Sequence, residues 1–271
     1  MSAAARIFGI LNITEDSFSD GGKYLAPDAA LQRARVLAKD AEVLDIGAAS
    51  SHPDAKPVAP DVEIARLNSV LPMLKKEGIK VSVDTFSPAV QRWALEQGAD
   101  YINDIQGFPE PSFYPALAAS TAKLIVMHSV AGRGPATRAD IPHSEIFARI
   151  CEFFDRRVSA LTGAGIARER VILDPGMGFF LGADPANSLT ILTRLPELKA
   201  RYGLPVLVSV SRKSFLRKIT GRTAAEAGPA SLSAELFAVH QGADYIRTHE
   251  PAALRDALAV EAALASPAPR A

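Results

Sequence analysis

The stretch from Val171 to Gly182, VILDPGMGFFLG, contains the pattern that decides the fold. Its apolar start ends on an acid, and the proline and glycines that follow are residues that end strands and form turns. Seven more short apolar runs end on polar residues in the same way: IFGILN, EVLDIG, KVSVDT, YIND, KLIVMH, VLVSVS and DYIRTH. Runs rich in Val and Ile without polar alternation are typical of strands buried on both faces, as in a parallel sheet covered by helices.

Stretches with the spacing of amphipathic helices separate these runs. APDAALQRARVLAKD begins with Pro27 and Asp28, and two later stretches end at Gly98 and Gly242, as helices commonly do. Eight strands alternating with helices predict a single-domain α/β fold, a (β/α)8 TIM barrel, with its core over about residues 6–262 and short flexible termini. The alternative is a doubly wound open sheet, but GILNITEDSFSDGGKY lacks the glycine-rich loop of that fold.

The composition excludes several classes of partner. Thirty basic and thirty acidic side chains give a formal net charge of zero, so we expect neither nucleic acid nor an anionic membrane as a partner. No run resembles a signal peptide or a transmembrane segment, and we expect the protein to be cytoplasmic. The single cysteine, Cys151, excludes a disulfide framework, and its place on the apolar face of a predicted helix predicts an unreactive core thiol.

Polar side chains end all eight predicted strands, where a barrel of this kind carries its catalytic groups. They are Asn12, Asp45, Asp84, Asn103 with Asp104, His128, Asp174, Ser211 with Arg212 and Lys213, and Arg247 with His249. Any one of them, taken alone, is a common helix cap or turn residue. Gathered at one mouth, they require a ligand or mutual hydrogen bonds, because burying unpaired polar groups is costly.

Two groups within this set indicate two kinds of ligand chemistry. The carboxylates and the amide are Asp84, Asn103 and Asp174, and the cations and the imidazole are Lys213, Arg247 and His249. The first group suits a planar heterocycle that carries amino and lactam groups, since a carboxylate can make two parallel hydrogen bonds to an N–C–N edge. The second group suits an anion such as phosphate.

The sequence contains no recognisable metal motif. The five histidines show neither HxxH nor HExxH spacing, and one cysteine cannot form a structural zinc site. A magnesium ion held mainly by phosphate oxygens and one amide oxygen would leave almost no signature, so Mg2+ stays open.

From Ile7 to about Leu258, the sequence resembles the dihydropteroate synthases through seven motifs in the family's order: NITEDSFSDGG, DIGAASSHPDAKPV, VSVDTF, YINDI, DPGMGF, SVSRKSF and RTHE. The resemblance implies a transferase of folate biosynthesis. Such an enzyme condenses 7,8-dihydropterin-6-ylmethyl diphosphate with 4-aminobenzoate to 7,8-dihydropteroate and pyrophosphate. It also implies a TIM barrel, Mg2+ and a homodimer. Two alternatives remain: a non-catalytic pterin-binding protein of the same fold, and a corrinoid-dependent methyltransferase, whose group lacks the pairing of SRK with RTHE.

The resemblance also assigns roles to individual residues. Those expected to bind the pterin are Asp84, Asn103, Asp174 and Lys213. The diphosphate is assigned to Asn12, Arg247 and His249, and Mg2+ to Asn12. Residues expected around aminobenzoate are Phe18, Ser51, Pro53, Phe179 and Ser211, and the two loops that close over the substrates contain Thr14, Asp16, Ser17, Phe18, Ser51 and Pro53. The catalytic set would be Asp84, Lys213, Arg247 and His249.

This chain departs from the family pattern in two loops. After the second strand, Ser51 and His52 stand where the family usually has threonine and arginine, and Phe180 stands where it usually has glycine after DPGxGF. The departures resemble the transferable, plasmid-type members of the family that resist sulfonamides, drugs that mimic aminobenzoate. Phe180, His52 and Ser51 are therefore candidate determinants of sulfonamide resistance, because a larger side chain at the pocket rim could exclude the bulkier drug.

Overall fold

The structure is a computed structural model that describes residues 5–14, 27–139 and 141–265. Its eight strands all run parallel in one sheet with the order β6-β5-β4-β3-β2-β1-β8-β7. They are β1 Arg6–Asn12, β2 Val43–Gly47, β3 Val81–Asp84, β4 Tyr101–Asp104, β5 Lys123–Met127, β6 Val171–Asp174, β7 Leu207–Val208 and β8 Tyr245–Thr248. A parallel bridge between Leu173 and Val206 joins β6 to the start of β7 and brings the sheet round into a barrel.

Helices connect successive strands and cover the outside of the sheet. They are α1 Pro27–Leu37, α2 Pro60–Asn68, α3 Leu71–Lys76, α4 Pro88–Glu96, α5 Tyr114–Ala119, α6 His143–Gly163, α7 Pro185–Thr193, α8 Leu195–Tyr202, α9 Ser214–Thr220, α10 Gly228–His240 and α11 Pro251–Ala265. The predicted (β/α)8 barrel is thereby confirmed. Gly98 and Gly242 follow α4 and α10 with φ of 74° and 91°, so both predicted helix ends are confirmed as well. Among the described residues, no helix combines the length and apolarity needed to cross a membrane.

Strand β7 is much shorter than its sequence run. VLVSVS covers residues 206–211, but the strand includes only Leu207 and Val208. The chain turns directly afterwards: the Lys213 N–H donates to the Val210 carbonyl at 3.1 Å, and Arg212 adopts a left-handed φ of 59°. The second half of the run is therefore a turn that carries polar side chains, and the expectation of a full-length strand is wrong.

The barrel interior is divided into an apolar lower layer and a polar upper layer. The lower layer consists of Phe8, Val43, Tyr101, Ile125, Ile172, Leu207 and Tyr245. The Phe8 ring meets those of Tyr101 and Tyr245 edge-on, with centroid distances of 5.1 and 5.5 Å. Such contacts fill the barrel's lower half with packed aromatic and aliphatic groups.

The upper layer follows from the two-residue period of a strand, in which side chains at i and i+2 share a face. Two positions beyond Tyr101, Ile172 and Tyr245, the chain carries a polar residue in each case: Asn103, Asp174 and Arg247. The apolar layer closes the barrel from below, so these groups open only toward the carboxyl ends of the strands. A second, larger apolar cluster between the sheet and the helices contains Cys151, whose thiol is free and buried as predicted.

Candidate active site

A buried ionic group forms the centre of the upper layer. The Arg247 guanidinium donates to the carboxylates of Asp45 and Asp84, and its Nη2 lies 2.5 Å from Asp84 Oδ2. Burial opposes the charge on the arginine, but the two acids hold the pKa of Arg247 above its ordinary value. Burial raises the pKa of Asp84, and the nearby Asp45 carboxylate adds to this effect, against the attraction of Arg247 and Lys213.

Asp174 and Lys213 are two further ionisable residues of the upper layer, and each affects the pKa of the other. The Gly176 N–H donates to Asp174 Oδ1 at 2.8 Å and fixes the orientation of the carboxyl. Burial raises the pKa of Asp174 to about 6, although that hydrogen bond and Lys213 oppose the shift. Burial and Arg247 lower the pKa of Lys213 to about 8. Both groups titrate close to neutrality, which is common at sites that bind or react with ligands.

These side chains surround a narrow inner cavity of about 10 Å³, roughly the space of one water molecule. It is lined by Ser51, Asp84, Asn103, Ile105, Met127, Asp174, Met177, Phe180, Ser209, Lys213 and Arg247. Asn103 Oδ1 and Ser209 Oγ are buried side-chain atoms that have no hydrogen-bond partner within the described residues. Buried polar atoms are normally paired, so these two are available to a ligand that enters the cavity.

An outer cleft of about 480 Å³ opens directly above the inner cavity. Asn12, Ser211 and His249 lie on one side of it. Ser211 Oγ lies 3.0 Å from His249 Nδ1. Burial and the neighbouring cations, beginning with Arg212, lower the pKa of His249 to about 3. Near pH 7 the imidazole is therefore neutral, and it can serve as a neutral hydrogen-bonding group toward an anion.

The opposite side of the outer cleft is mainly aromatic, and we call it the rim. The rim consists of Ser51, His52, Pro53, Phe179 and Phe180. The Phe179 ring lies between His52 and Arg138, with a ring-centroid distance of 5.7 Å to His52 and 5.3 Å from the Arg138 guanidinium carbon. Phe180 is buried and packs on Ile105, Met127 and Ala136. Its face also lies 4.8 Å from Lys213 Nζ, so this residue both packs the barrel top and forms a wall of the cleft.

The loop that follows β2, residues 48–59, is fastened to the segment after β5. The Ala136 N–H donates to the Ser51 carbonyl at 3.0 Å, and Arg138 Nη1 donates to Asp54 Oδ1 at 2.9 Å. Both residues of the ion pair are largely exposed, so its contribution to stability is small. These contacts orient the rim without making it rigid.

The structure brings together most of the residues singled out in the sequence. Those that line the outer cleft are Asn12, Ser51, His52, Pro53, Asp84, Phe179, Phe180, Ser211, Lys213, Arg247 and His249, and those that line the inner cavity include Asn103 and Asp174. Thr14 also lines the outer cleft. Asp16, Ser17 and Phe18 lie outside the described residues. The Ser211 hydroxyl, assigned to aminobenzoate, contacts the imidazole on the anion side of the cleft.

Two polar strand ends serve the fold and line neither cavity. Asp104 accepts hydrogen bonds from Gln91 Nε2 and from the backbone N–H groups of Gln106 and Phe108. His128 packs edge-on against Phe153, and burial lowers its pKa to about 4. Both have structural roles, as the sequence analysis expects for a polar strand end taken alone.

Sequence reasoning assigned no role to three residues of the site. Asp45 is completely buried beside Arg247, Ser209 faces the inner cavity, and Arg217 lines the outer cleft one helical turn beyond Lys213. An acid inside an otherwise apolar buried strand is the signal that could have identified Asp45 as paired. The four-residue spacing from Lys213 could have identified Arg217.

The donor set at the cleft fits a hard cation that arrives with a phosphate group. Mg2+ prefers oxygen ligands and is commonly held by one or two protein oxygens together with substrate phosphates. Asn12 ends β1 with an exposed side chain beside His249. Among the described residues, no cluster of three or more His, Cys, Asp or Glu could hold a metal by itself. The amide oxygen of Asn12 therefore suits a site in which the substrate supplies most of the ligands.

Comparison with known proteins defines the class of this barrel. The family model described as pterin binding enzyme matches residues 8–249. The fold and the site thus define a pterin-binding barrel enzyme.

Three similar proteins narrow the class further. The chain is 59% identical over 265 residues to dihydropteroate synthase type-2 of Escherichia coli, with 97% of each sequence covered. It is 51% identical over 261 residues to dihydropteroate synthase type-3 of the same species, with 96% of this chain and 99% of the relative covered. The solved dihydropteroate synthase of Xanthomonas albilineans with 4-aminobenzoic acid superposes with a TM-score of 0.87 at 35% identity, covering 98% and 95% of the chains. The chain belongs to the dihydropteroate synthases and is a transferase.

Proposed function

We propose that this protein condenses 7,8-dihydropterin-6-ylmethyl diphosphate with 4-aminobenzoate, releasing pyrophosphate, and that it does so in the presence of sulfonamides. The observation that carries the proposal is the continuous passage from the inner cavity, lined by acids and amides, to an outer cleft lined by Asn12, Arg247 and His249. A dihydropterin diphosphate has the same polarity, with a hydrogen-bonding ring at one end and an anion at the other.

The groups that line the inner cavity match the hydrogen-bonding edge of a pterin ring, which would enter from the outer cleft and widen this narrow space. Asp174, with Oδ1 fixed by Gly176, would accept from the ring's 2-amino and N3 groups, and Lys213 would donate to the carbonyl and N5 side. Asn103 Oδ1, which is buried without a partner among the described residues, would accept a further ring N–H. The ring would thereby satisfy groups that otherwise remain unpaired.

The anionic end would lie against Asn12, Arg247 and His249. Bound Mg2+, held by the diphosphate and by Asn12, would supply charge neutralisation at the phosphate oxygens. Arg247 would contribute a buried positive charge and His249 a neutral N–H donor. These interactions strengthen as the leaving group gains charge, so they favour the transition state over the bound substrate.

The chemistry then follows a dissociative course. The bond between the exocyclic methylene carbon and the diphosphate oxygen breaks, and Asp84, beside the ring, stabilises the positive charge that spreads over the dihydropterin. The neutral amino group of aminobenzoate, held between the Phe179 side and the Lys213 stem, forms the new C–N bond and loses a proton to solvent. An arylamine is unprotonated near neutral pH, so positioning replaces a strong base.

The rim supports the proposal of sulfonamide insensitivity. Phe180 presents its face to Lys213 Nζ at 4.8 Å, at the junction of the inner cavity and the outer cleft. A flat carboxylate can pass this wall more readily than a tetrahedral sulfonyl group with a bulky substituent. His52 and Ser51, on the loop after β2, remain the other candidate determinants.

One observation favours a second candidate, a pterin-binding protein without turnover. Two of the three guanidinium nitrogens of Arg247, Nε and Nη2, already donate to Asp45 and Asp84, so the diphosphate would have to share that side chain with the two acids. Mixing the purified protein with both substrates and Mg2+ separates the two candidates. Steady release of pyrophosphate and formation of dihydropteroate support the synthase, whereas pterin binding without either product supports the binder. The homodimer and the cytoplasmic location stay predictions.

A further inference from the structure

Helix α10 buries an acid that neither the fold nor the proposed chemistry explains. Glu235 is 1% exposed and shares the inward face of α10 with Ser231 and Ala238. Its Oε1 has no hydrogen-bond partner within the described residues. A buried carboxyl group without a cation is costly, so its presence on a face that packs toward β8 needs a physical reason.

A chain of side-chain contacts runs from this acid to the outer cleft. The Thr248 hydroxyl is the polar side chain that acts most directly on the Glu235 carboxyl, where it opposes the rise in pKa that burial causes. Thr248 Oγ1 lies 3.5 Å from Ser211 Oγ, and Ser211 Oγ lies 3.0 Å from His249 Nδ1. The imidazole has its other nitrogen, Nε2, left for the cleft that it lines. Four polar groups therefore connect α10 with the anion side of the site.

The backbone fixes both hydroxyl oxygens of this chain. The Glu250 N–H donates to Thr248 Oγ1 at 3.1 Å, and the His249 N–H donates to Ser211 Oγ at 3.2 Å. Each hydroxyl keeps one proton, which it can donate toward Glu235 or toward His249. The hydrogen bonds of this series can therefore all point toward Glu235 or all point toward His249. The protonation state of Glu235 selects the direction.

We propose that Glu235 is a positioning residue, which determines through Thr248 and Ser211 which ring nitrogen of His249 carries the proton. The protonated acid donates to Thr248, Thr248 donates to Ser211, and Ser211 donates to Nδ1. His249 then carries its proton on Nε2 and offers an N–H donor to an anion in the cleft. The ionised carboxylate reverses every hydrogen bond, so that an Nε2 lone pair faces the anion and repels it.

The surrounding charges place this change near neutral pH. Burial raises the pKa of Glu235 to about 7; the Thr248 hydrogen bond opposes the shift, and the Glu250 carboxylate adds to it. The cations around the imidazole, which include Arg212, Arg247, Lys213 and Arg33, keep His249 neutral over this range. Protonation therefore changes at the glutamate, and the histidine changes only the position of its proton.

The inference rests on the proposed contact between His249 and a diphosphate, and inorganic pyrophosphate with Mg2+ is its probe. Glu235→Gln tests the direction of the chain, because the glutamine amide can donate to Thr248 at any pH. Glu197→Gln is the control: it removes an exposed carboxylate that pairs with Arg194 outside the site and leaves the series of hydrogen bonds intact. Dissociation constants are measured by calorimetry at about pH 6 and about pH 8, on either side of the Glu235 pKa of about 7.

We expect Glu235→Gln to bind pyrophosphate as the parent does at the lower pH and roughly fivefold more tightly than the parent at the higher pH, the value of about one hydrogen bond. The ratio of variant to parent cancels the titration of pyrophosphate itself. Glu197→Gln should follow the parent at both pH values. Nitrogen-15 spectra of the imidazole should show Nε2–H at both pH values in Glu235→Gln, and a change to Nδ1–H on raising the pH only in the parent and the control.

The proposal would be overturned if the ratio of the pyrophosphate dissociation constants of Glu235→Gln and the parent were equal at the two pH values. It would also be overturned if His249 had the same tautomer in parent and variant at both pH values. Thr248→Val provides an independent break in the chain and should abolish the pH-dependent change of tautomer as well; a change that persists in this variant also contradicts it. Turnover by the parent separates this failure from that of the proposed function. A parent that releases pyrophosphate from both substrates while the variants behave alike refutes only the positioning role.

Discussion

The floor of the cleft, by which we mean Asp45, Asp84, Asp174, Lys213 and Arg247, differs from the rim in how its side chains are held. On the floor, Arg247 donates to the carboxylates of Asp45 and Asp84. At the rim, the Phe179 ring contacts His52 and Arg138. The floor groups are held by strand ends and are mostly removed from water. The rim groups are carried by loops, and the Arg138–Asp54 ion pair that fastens them is largely exposed. The same cleft thus joins a rigid charged region to an adaptable aromatic one.

The difference indicates how recognition is divided between the two substrates. Buried charges at fixed positions discriminate strongly, because an imperfect ligand leaves them unpaired. Aromatic loop side chains act mainly through shape, which can change without disturbing the floor. The departures of this chain from the family pattern lie at Ser51, His52 and Phe180, all on the rim. We therefore expect floor substitutions to affect folding and pterin binding, and rim substitutions to affect selectivity.

The largest effect is expected from Arg247→Met. The substitution leaves Asp45 and Asp84 side by side without their shared cation, which should lower the free energy of unfolding by about 3–5 kcal/mol and abolish turnover. Urea denaturation measures the loss. Arg149→Met, which breaks an exposed pair with Glu145 on α6, is the control and should cost about 1 kcal/mol or less. Equal losses for the two arginines would remove the distinction between floor and surface.

The pH dependence of stability should differ in sign between the two regions. The pKa of Asp174 rises from 3.8 to about 6 on folding, so its contribution is fully present below about pH 4 and is lost as the pH rises through about 6. The shift corresponds to a change on the order of 3 kcal/mol at most. Arg138 lowers the pKa of Asp54, whose contribution is instead lost as the pH falls.

Urea unfolding across this pH range gives the free energy of unfolding of the parent minus that of each variant, Asp174→Asn and Asp54→Asn. This difference cancels the contributions of other titrating groups, including His128. The Asp174 difference should fall between about pH 4 and about pH 7, whereas the Asp54 difference should stay nearly constant over this range and decline only at lower pH. Parallel slopes for the two acids would contradict the assignment of one to the floor and the other to the rim.

A smaller effect, in the range of about 10- to 100-fold, is expected on the KM for the dihydropterin diphosphate in Asp174→Asn. The amide can no longer accept two hydrogen bonds from the ring, while the KM for aminobenzoate should change little. Asp104→Asn is the matched control, because that acid is equally buried but bonds only to Gln91 and to backbone N–H groups. It should lose stability without a rise in this KM. A similar KM increase in both variants would refute the ring-binding role.

The smallest effect is expected from Asp54→Asn, which removes the ion pair that fastens the loop of residues 48–59. The KM for aminobenzoate should rise by roughly twofold, since an exposed pair contributes little and the Ala136–Ser51 backbone hydrogen bond remains. Steady-state kinetics on both substrates detect the change. A large loss of turnover would mean that the rim is as rigid as the floor.

The barrel and most of the floor could be predicted from the sequence for a simple physical reason. Parallel strands buried on both faces are apolar until they end, so a polar residue such as Asp84 or Asp174 stands out where the strand reaches the mouth. Asp45 stood out as a polar strand end but was given no role, and Glu235 was not singled out. Their partners, Arg247 and Thr248, are distant in sequence, and only the folded chain brings them together.

Protonation states and the orientation of the rim were also beyond the sequence. The low pKa of His249 depends on burial and on four basic groups, which come from α1, from the turn after β7 and from β8. Phe180 was expected to shape the pocket, although a loop phenylalanine can also simply pack the barrel top. It does both, because the short turn from Gly178 to Leu181 buries one part of the side chain and turns its face to Lys213.

The central claim, that the floor retains the synthase chemistry while the rim excludes sulfonamides, is tested most directly by steady-state turnover of aminobenzoate with increasing sulfamethoxazole. We expect the parent to keep its activity at drug concentrations at least about tenfold above the aminobenzoate KM, and Phe180→Gly to become sensitive near that KM. Phe180→Leu, which preserves more of the packing, should remain less sensitive than the glycine variant. Inhibition of the parent at concentrations close to its aminobenzoate KM would contradict the account.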